Sequence, residues 1–430
     1  MRRPRARSGA AVVAAALALV VMPASPIGWR VPAARATSTP PPTPVPPDGS
    51  PSPFPTALHT PRPSLTPPRL ASPSAILEDL ETGQVLYSKA PDGRRPIASL
   101  TKVMTALVVM AKVKPNDTVV AEGTAAFQSG SVLGLRVGER ISVRELMFAL
   151  LIQSSNDAAV ALAEHVAGTV SGFVAMMNRR AAQMGLTHSH FTSPSGLEGV
   201  GYSSARDLAA MTRAAYDDPF FEQIVATKFH DVPAPSGPPR HIQNRNVLLW
   251  LYPGAIGVKT GFTTPAGHCL IGAADRRGTR LVAVALGASG PNDGGVFDDG
   301  AALLNYGFAA FERQTLIHAG DPLGSVVIDG VSVPAVAAAT LLRLVRNDQV
   351  GKVTTSFASD ATLRLPITAG ARVGRVVIEV AGRNAGVVPA VAAATVTEPP
   401  PPPPPQPETP LERGLRTLRV LLQAVLGPFL

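Results

Sequence analysis

The sequence predicts an α+β protein with more than one domain. Strand-like apolar runs occur at residues 75–87 and again after residue 257, while the residues between them follow helical spacing. Strands at both ends of a helical middle are typical of an α+β domain. The length of 430 residues and the 45% hydrophobic content allow such a domain, a second one and connecting segments.

The first 36 residues have the pattern of a secretory signal peptide. Arginines at positions 2, 3, 5 and 7 precede an apolar run at 9–22, and Ala34-Arg35-Ala36 is similar to a cleavage site. An uncleaved anchor helix is the alternative, although the apolar run is short for a membrane span. Cleavage after Ala36 would remove six arginines and no acidic residue, which lowers the net charge from +9 to +3. The basic composition therefore predicts no nucleic-acid partner.

Two proline-rich segments are predicted to be extended linkers. Many of the 44 prolines lie in residues 37–73 and 398–410, and such runs favour polyproline-like chains over packed structure. We therefore expect ordered structure to begin at residue 74.

Few residues are suited to a disulfide or a metal site. The single cysteine, Cys269, excludes an internal disulfide and a cysteine metal site, and is expected to be a small buried strand residue. His188 and His190 could share a metal, but no nearby aspartate or glutamate completes a ligand set. We expect neither a metal nor another cofactor.

The segment from residue 74 to 216 predicts a hairpin followed by helices. Strand-like runs flank Glu81-Thr82-Gly83, as in a β-hairpin. Residues 96–113 leave almost no polar face, which is expected of a helix in the middle of a domain. Asp157 is a suitable N-cap, and Gly185 is a suitable stop after a helix that ends at residue 184. The further predicted helices cover residues 143–151, 157–167, 172–184 and 204–216.

Strands return after residue 257. Runs at 269–274 and 280–286 surround Arg276-Arg277-Gly278 and predict a second hairpin, and a helix at 298–311 is expected to pack back on the sheet. Short valine-rich runs separated by turn residues then predict a small β domain at 314–397. Its expected strands cover residues 325–328, 354–357, 376–380 and 386–388.

Residues 411–430 predict an amphipathic helix beyond the second linker. Apolar residues recur at three- and four-residue steps on one face, and charged residues line the opposite face. Such helices usually pack on their own domain, but the proline spacer separates this one from any core. Because its arginines suit an anionic membrane surface, we expect it to lie on a membrane and not to span it.

Ser99 and Lys102 form a Ser-x-x-Lys spacing in the apolar helix. Residues i and i+3 lie on one helix face, so the hydroxyl and the amine come within hydrogen-bonding reach. Burial, or a second cation, lowers the pKa of a lysine and allows it to act as a base. Alone, this spacing is weak support for catalysis, because ordinary helices contain it too.

Two further segments strengthen the catalytic interpretation. Ser154 and Asn156 lie between two predicted helices and are expected on a loop. Lys259 and Gly261 point to the same side of a predicted strand, and Gly261 permits close approach of a ligand backbone. Ser-x-x-Lys, Ser-x-Asn and Lys-Thr-Gly, in this order, are the signature of penicillin-binding proteins and class A β-lactamases.

Residues 74–311 resemble the low-molecular-mass penicillin-binding proteins of the D-alanyl-D-alanine carboxypeptidase type. The resemblance implies a β-lactamase/transpeptidase-like domain, in which an antiparallel sheet has helices on both faces and carries a helical subdomain. The chain departs from the family pattern at Ser155, where glycine or alanine is more usual, and at Ser195, where histidine is. The similar stretches are residues 98–105, 155–163, 190–191, 195–197, 202–207, 244–246 and 258–263.

The resemblance also implies roles for the candidate catalytic residues. Ser99 would attack the carbonyl between the two terminal D-alanines, and Lys102 would accept its proton. Ser154 would relay a proton toward the leaving amine with the help of Lys102. Asn156 would bind the substrate amide.

The strand residues would bind the substrate terminus and the oxyanion. Lys259 and Thr260 would face the terminal carboxylate, with Gly261 leaving room for the substrate. Lys259 would also lower the pKa of Lys102 by like-charge repulsion. The backbone N–H groups of Ser99 and Phe262 would form the oxyanion hole.

These roles describe a serine D-Ala-D-Ala carboxypeptidase that trims peptidoglycan stem peptides and is acylated by β-lactam antibiotics. It would be secreted across the cytoplasmic membrane and bound peripherally to its outer face. The predicted organisation is a signal peptide at 1–36, a linker at 37–73, a catalytic domain at 74–313, a β domain at 314–397, a linker at 398–410 and a membrane-associating helix at 411–430.

Three alternatives remain at this point. An endopeptidase that cuts peptide cross-links would have nearly the same chemistry. A β-lactamase would need a glutamate-activated water, and Glu164, Glu198 and Glu222 all lack a Glu-x-x-Leu-Asn context. A wall-binding protein without turnover would have lost a reactive group, and none is lost. A lipase-type elbow and a phosphate-binding glycine loop are both absent from the sequence.

Overall fold

A computed structural model of the chain describes residues 57–58, 64–197, 200–290, 293, 295–360, 362–398 and 408–426. The predicted signal peptide and most of both predicted linkers lie outside these residues.

The strands form two five-stranded sheets and three two-stranded ribbons. In chain order they are β1 (Ser74–Asp79), β2 (Val85–Lys89), β3 (Thr118–Val120), β4 (Arg140–Ser142), β5 (Phe229–Val232), β6 (Arg240–Gln243), β7 (Ala255–Thr263), β8 (Gly267–Arg276), β9 (Thr279–Ala288), β10 (Phe311–Ile317), β11 (Pro322–Ile328), β12 (Val331–Ala337), β13 (Leu341–Arg346), β14 (Val353–Ser359), β15 (Arg372–Val380) and β16 (Arg383–Ala392).

Most of the helices lie between β2 and β7. They are α1 (Lys102–Met110), α2 (Gly123–Ala126), α3 (Val143–Phe148), α4 (Asn156–Ala167), α5 (Val170–Gln183), α6 (Ala205–Ala215), α7 (Pro219–Ala226), α8 (Leu248–Leu251), α9 (Val296–Ala310) and α10 (Pro410–Leu426).

The first five-stranded sheet has the strand order β2-β1-β9-β8-β7, and every neighbouring pair is antiparallel. Alternate residues of its strands face opposite sides, so Val282 and Val284 pack with the helices of the middle segment, while Leu281 and Ala283 pack with α9. The sheet is therefore covered on both faces, as expected. The hairpin β1–β2, the hairpin β8–β9 and the return of α9 to the sheet are confirmed.

The predicted helices are present at the expected positions in the chain, but their ends differ from the prediction. The apolar helix predicted at 96–113 is shorter, since a 3₁₀ turn at Ala98–Thr101 precedes α1 and α1 ends at Met110. Gly185 follows α5 with φ +69° and confirms the predicted stop. Asp157 was wrongly predicted as an N-cap. That position is held by Ser155, and the Asp157 carboxylate accepts the N–H groups of a neighbouring loop, at residues 133–135, over 2.8–3.1 Å.

Several short elements were not predicted. They are the ribbons β3–β4 and β5–β6 and the helices α2, α7 and α8. Segments of three to eight residues give too few repeats for periodicity to distinguish a strand from a helix. The start of α7 was readable in principle, because Asp218 caps it and Pro219 occupies its first turn.

The linker predicted at 37–73 ends earlier than expected. Ser72 is fully buried, and the N–H groups of Ala71 and Ser72 donate to the Asp299 carboxylate of α9 over 3.0 and 2.7 Å. Lys89 donates to the carbonyls of Leu70 and Ser72. Composition alone could not show this, because the partner is a buried carboxylate more than 200 residues away.

A small β domain follows α9. Its five-stranded sheet has the order β11-β12-β16-β15-β14, and β10 pairs with β13 beside it. The strand β10 begins at Phe311, directly after α9, and so crosses the border predicted between residues 313 and 314. The strands β10, β12 and β13 were not predicted.

The last described element is α10. Its leucines are largely exposed, with 73% of Leu411 and 57% of Leu415 accessible to solvent. Among the described helices, none alone has the length and apolar character needed to cross a membrane. The neighbouring helices α4 and α5 pass that test together, but the chain bends by 85° between them.

Candidate active site

The candidate nucleophile lies in the turn that precedes α1. Ser99 is the second residue of the 3₁₀ turn Ala98–Thr101, and Lys102 is the first residue of α1. Side chains at i and i+3 are eclipsed in a 3₁₀ turn, which brings them closer than in the α-helix that the sequence predicted. The Lys102 Nζ lies 2.9 Å from the Ser99 Oγ.

Lys102 is fully buried and has a complete set of hydrogen-bond acceptors. Besides the Ser99 hydroxyl, its Nζ donates to the Asn156 Oδ1 and to the carbonyl of Ser195, each over 2.8 Å. An ammonium has three protons, so these three acceptors use all of them. Ser154 is not among the acceptors. The expected direct cooperation of Lys102 with Ser154 is therefore not present in this structure.

Burial makes Lys102 a base near neutral pH. Burial, followed by the charge of Arg245, lowers the pKa of Lys102 to about 7, and the Asp157 carboxylate opposes this shift. Arg245 is a repelling cation that the sequence did not predict here. The predicted repulsion between Lys259 and Lys102 is present as well, because repulsion between two cations is mutual. Burial lowers the pKa of Lys259 too, and there Lys102 and Arg245 add to the effect.

The helix α3 sets the position of Ser154 and Asn156. It continues as a π-helical turn at Ala149–Gln153, which ends at Ser154 with φ +70°. Asn156 is the first residue of α4 and not a loop residue, contrary to the prediction. Its side chain is held at both ends, because the Nδ2 donates to the Ser129 carbonyl over 2.7 Å while the Oδ1 accepts from Lys102.

The strand β7 forms the opposite wall. A Cβ at Gly261 would lie 3.0 Å from the carbonyl oxygen of Ile97 and 3.0 Å from the amide nitrogen of Ser99, so a side chain there would require the strand and the turn to move apart slightly. Lys259 is 1% exposed and its Nζ donates to the Thr260 carbonyl. Across the strand pair, Gly261 faces Cys269, which is a buried strand residue as predicted.

These residues enclose one cleft of about 640 Å³. Lys102 and Lys259 lie buried beside it. The Phe262 ring is 58% exposed at its edge and stacks on His268 with 4.4 Å between ring centroids. The predicted site residues that line the cleft are Ser99, Ser154, Asn156, Thr260, Gly261 and Phe262.

Arg245 also lines the cleft, and sequence reasoning assigned it no role. Its position follows from the flanking asparagines: the Asn244 Oδ1 accepts the N–H of Asn246, and the Asn246 Oδ1 accepts the N–H of Leu248. The Arg245 N–H donates to the carbonyl of Ile152, which ties this turn to the π-helical turn. The available signal was the Asn-Arg-Asn triplet, in which two turn-forming residues flank a cation.

Acidic groups are scarce around the site. Of the described residues that line the cleft, Asp293 is the only acidic one. His188 and His190 acquire no further ligand: the described part of the chain contains no group of three or more His, Cys, Asp or Glu residues that could hold a metal ion.

The geometry agrees with a comparison against protein families. The family model described as D-alanyl-D-alanine carboxypeptidase matches residues 62–290, which is more than half of the chain. The chain belongs to this D-alanyl-D-alanine carboxypeptidase family. A second family model, described as the C-terminal domain of penicillin-binding protein 5, matches residues 311–398.

Individual members of the carboxypeptidase family are similar over long stretches. The D-alanyl-D-alanine carboxypeptidase DacB2 of Mycobacterium tuberculosis is 41% identical over 239 residues, which cover 54% of this chain and 81% of that protein. The crystal structure of penicillin binding protein 5 from Haemophilus influenzae has a TM-score of 0.68 and 31% identity, and covers 77% of this chain and 99% of its own. A D-alanyl-D-alanine endopeptidase of Escherichia coli is 35% identical over 209 residues, 47% of this chain and 67% of that protein.

Proposed function

We propose that this chain is a serine D-Ala-D-Ala carboxypeptidase that removes the terminal D-alanine from peptidoglycan stem peptides through an acyl-enzyme on Ser99. The observation that carries the proposal is the 2.9 Å contact between the Ser99 hydroxyl and a buried lysine whose pKa is about 7. A base of this pKa is substantially neutral at physiological pH and can take the hydroxyl proton as the bond forms.

Acylation uses the two sides of the cleft. The Ser99 Oγ attacks the carbonyl carbon between the two D-alanines while its proton passes to Lys102. The oxyanion accepts hydrogen bonds from the N–H groups of Ser99 and Phe262. The C–N bond then breaks, and the departing D-alanine amine takes a proton by way of Ser154, which lines the cleft beside the nucleophile.

Substrate binding uses the amide and cationic groups. Asn156 has its side chain fixed at both ends and presents its amide at the cleft, where it binds the substrate amide. Arg245 and the Thr260 hydroxyl line the cleft and offer a positive charge and a donor to the terminal carboxylate, with Lys259 buried beside them. After D-alanine leaves, water hydrolyses the ester and Ser99 regains its proton.

β-Lactams are expected to acylate the same serine, and the resulting acyl-enzyme is expected to hydrolyse slowly. Their leaving amine stays tethered through the opened ring and obstructs the approach of water. A β-lactamase would overcome this with a carboxylate that activates water, and no glutamate is among the described residues of the cleft. The related endopeptidase makes cleavage of cross-links the second candidate activity.

The proposed location is the outer face of the cytoplasmic membrane. A basic segment, an apolar run and a cleavage-like Ala-Arg-Ala in residues 1–36 support secretion. The exposed leucines of α10 and the arginines on its other face support peripheral binding to an anionic bilayer.

The proposed function is tested with a penicillin and two peptides. Intact-mass spectrometry should show a stable penicillin adduct on the wild type and on the control Ser171→Ala, which changes an exposed serine, and none on Ser99→Ala. The wild type should release D-alanine from a free-acid peptide about ten- to a hundredfold faster than from its C-terminal amide, because the amide loses a charge-assisted contact.

Each competing function has its own outcome in these assays. An adduct on Ser99→Ala would contradict the assigned nucleophile. Rapid turnover of penicillin would indicate a β-lactamase. Faster cleavage of cross-linked dimers than of D-Ala-D-Ala peptides would indicate an endopeptidase.

A further inference from the structure

The Asp157 carboxylate holds a loop that also contacts a residue of the cleft. Asp157 is 1% exposed and lies in the first turn of α4. Its Oδ1 accepts the N–H groups of Leu133 and of the neighbouring Ala158, over 2.9 and 2.8 Å. Its Oδ2 accepts the N–H groups of Gly134 and Leu135, over 2.8 and 3.1 Å. A carboxylate has about four acceptor sites, so these four donors occupy all of them.

The same loop binds Asn156 on both its backbone and its side chain. The carbonyl of Ser131 accepts the Asn156 backbone N–H over 2.7 Å, and the carbonyl of Ser129 accepts the side-chain Nδ2 over 2.7 Å. The Ser131 hydroxyl donates to the carbonyl of Gln153 over 2.7 Å. Residues 129–135, called the anchor loop below, are therefore tied at both ends to residues 153–157.

The Ser129 carbonyl decides which end of the Asn156 amide faces Lys102. A carbonyl only accepts, so it binds the Nδ2 and leaves the Oδ1 for Lys102, at 2.8 Å. A neutral lysine amine has two protons and one lone pair. Once the Asn156 Oδ1 and the Ser195 carbonyl accept these protons, the lone pair points to the Ser99 hydroxyl, 2.9 Å away. The orientation of the base thus depends on a carbonyl of the anchor loop.

We propose that Asp157 is a positioning residue for the acylation of Ser99. It fixes the anchor loop where the Ser129 carbonyl orients the Asn156 amide, and through that amide it directs the lone pair of the base. In this role Asp157 acts through other residues and is not itself catalytic. The inference rests on the proposed carboxypeptidase mechanism and gives a function to a residue for which the sequence predicted only a helix cap.

The test is a double-mutant cycle on the rate of penicillin acylation. Asp157→Asn keeps the shape of the side chain but turns one acceptor oxygen into an NH2 group that faces N–H donors. The anchor loop should shift, and acylation of Ser99 should slow about ten- to a hundredfold. Asn156→Ala removes the amide through which Asp157 acts, so adding Asp157→Asn to it should slow acylation by less than about threefold more.

Asp299→Asn is the matched control. Asp299 is also a buried carboxylate that accepts two backbone N–H groups, those of Ala71 and Ser72, and it does not line the cleft. Both substitutions should lower the free energy of unfolding, but Asp299→Asn should keep the wild-type acylation rate. The rate constant is counted over molecules that become adduct, so unfolded protein does not affect it. Asp157→Glu carries the same cycle if Asp157→Asn does not fold.

The pH profile of acylation gives an independent readout. Arg245 and Lys259 lower the pKa of Lys102, whereas Asp157 opposes this shift. Asp157→Asn should therefore move the midpoint to lower pH, while Asp299→Asn should not, because a loss of stability alone leaves the midpoint in place. Losses that multiply in the cycle, or a midpoint that does not fall, would overturn the role of Asp157. The proposed function fails separately, if the wild type releases no D-alanine.

Discussion

At the scale of single residues, the proposed catalysis depends on two lysines buried without a carboxylate partner. Lys102 and Lys259 are among the largest fully buried side chains, and no carboxylate in the described residues forms an ion pair with either. Burial penalises the charged form of an amine, and a neighbouring cation penalises it further. In the proposed mechanism this arrangement makes Lys102 available as a neutral base at Ser99, and Arg245, which lines the cleft, supplies the positive charge that an anionic substrate meets.

The pKa of Lys102 predicts how acylation depends on pH. Lys102 accepts a proton only when it is neutral, so the rate of penicillin acylation should rise as pH increases through about 7 and then level off. Arg245→Gln removes a cation that lowers this pKa, so its midpoint should move to higher pH. The control Arg140→Gln makes the same charge change on β4, outside the cleft, and should keep the wild-type midpoint. A rate that falls across this range would contradict Lys102 as the base.

At the scale of elements, the site depends on backbone contacts between segments that are distant in sequence. The loop at 193–197 supplies the Ser195 carbonyl to Lys102, and it reaches that position by passing against the turn that carries Ser99. Gly196 makes the contact, with φ +74° and no room for a side chain, because a Cβ would lie 2.0 Å from the carbonyl oxygen of Ala98.

Two glycine variants separate backbone strain from this contact. Gly185→Ala places alanine at φ +69° with open space around it and should lower the free energy of unfolding by about 1–2 kcal/mol. Gly196→Ala adds the collision with Ala98 and should cost at least about 3 kcal/mol, with a slower acylation of Ser99. Chemical denaturation measures the free energy of unfolding, and penicillin measures the rate at which Ser99 is acylated. Equal losses of unfolding free energy in the two variants would show that the contact with Ala98 is unimportant.

The helix α10 is expected to act separately from the catalytic domain. Removal of residues from 408 onward should abolish co-sedimentation with anionic liposomes and leave D-alanine release intact. Each fully buried leucine contributes roughly 1.5–3 kcal/mol, and less when it is only partly immersed, so the exposed leucines together suffice for binding. A matched control replaces Glu412 with glutamine on the opposite face. Equal partitioning of full-length and truncated protein would show that α10 does not bind membranes.

At the scale of the whole molecule, the tip of the first hairpin joins the two domains. The Gln84 side chain accepts the N–H of Leu344 over 2.9 Å and donates to its carbonyl over 2.7 Å, so it extends the edge of β13. Leu344 itself is 3% exposed and belongs to the same buried apolar cluster as Leu77 and residues of α9. Arg313 of β10 adds an ion pair with Glu81.

The junction predicts unequal effects for two neighbouring substitutions. Gln84→Ala leaves both backbone groups of Leu344 without their partner and should weaken the protection of β10 and β13 in hydrogen exchange by about 1–3 kcal/mol. Glu81→Gln removes a solvent-exposed ion pair and should cost less than about 1 kcal/mol. Both variants should keep the wild-type rate of penicillin acylation. An equal loss of protection in the two variants would contradict this account of the junction.

Short-range periodicity was sufficient to predict the α+β order of elements, the two main hairpins and the buried apolar helix. The residues of the cleft were predicted from three short motifs and from the resemblance to the carboxypeptidase family. The role of Asp157 as a loop anchor, the contribution of Arg245 to the pKa of Lys102 and the hydrogen bonds of residues 71–72 to Asp299 became evident only in the tertiary structure. Each of these depends on groups far apart in the chain, and pKa shifts and buried hydrogen bonds arise from distances in space that local sequence patterns do not encode.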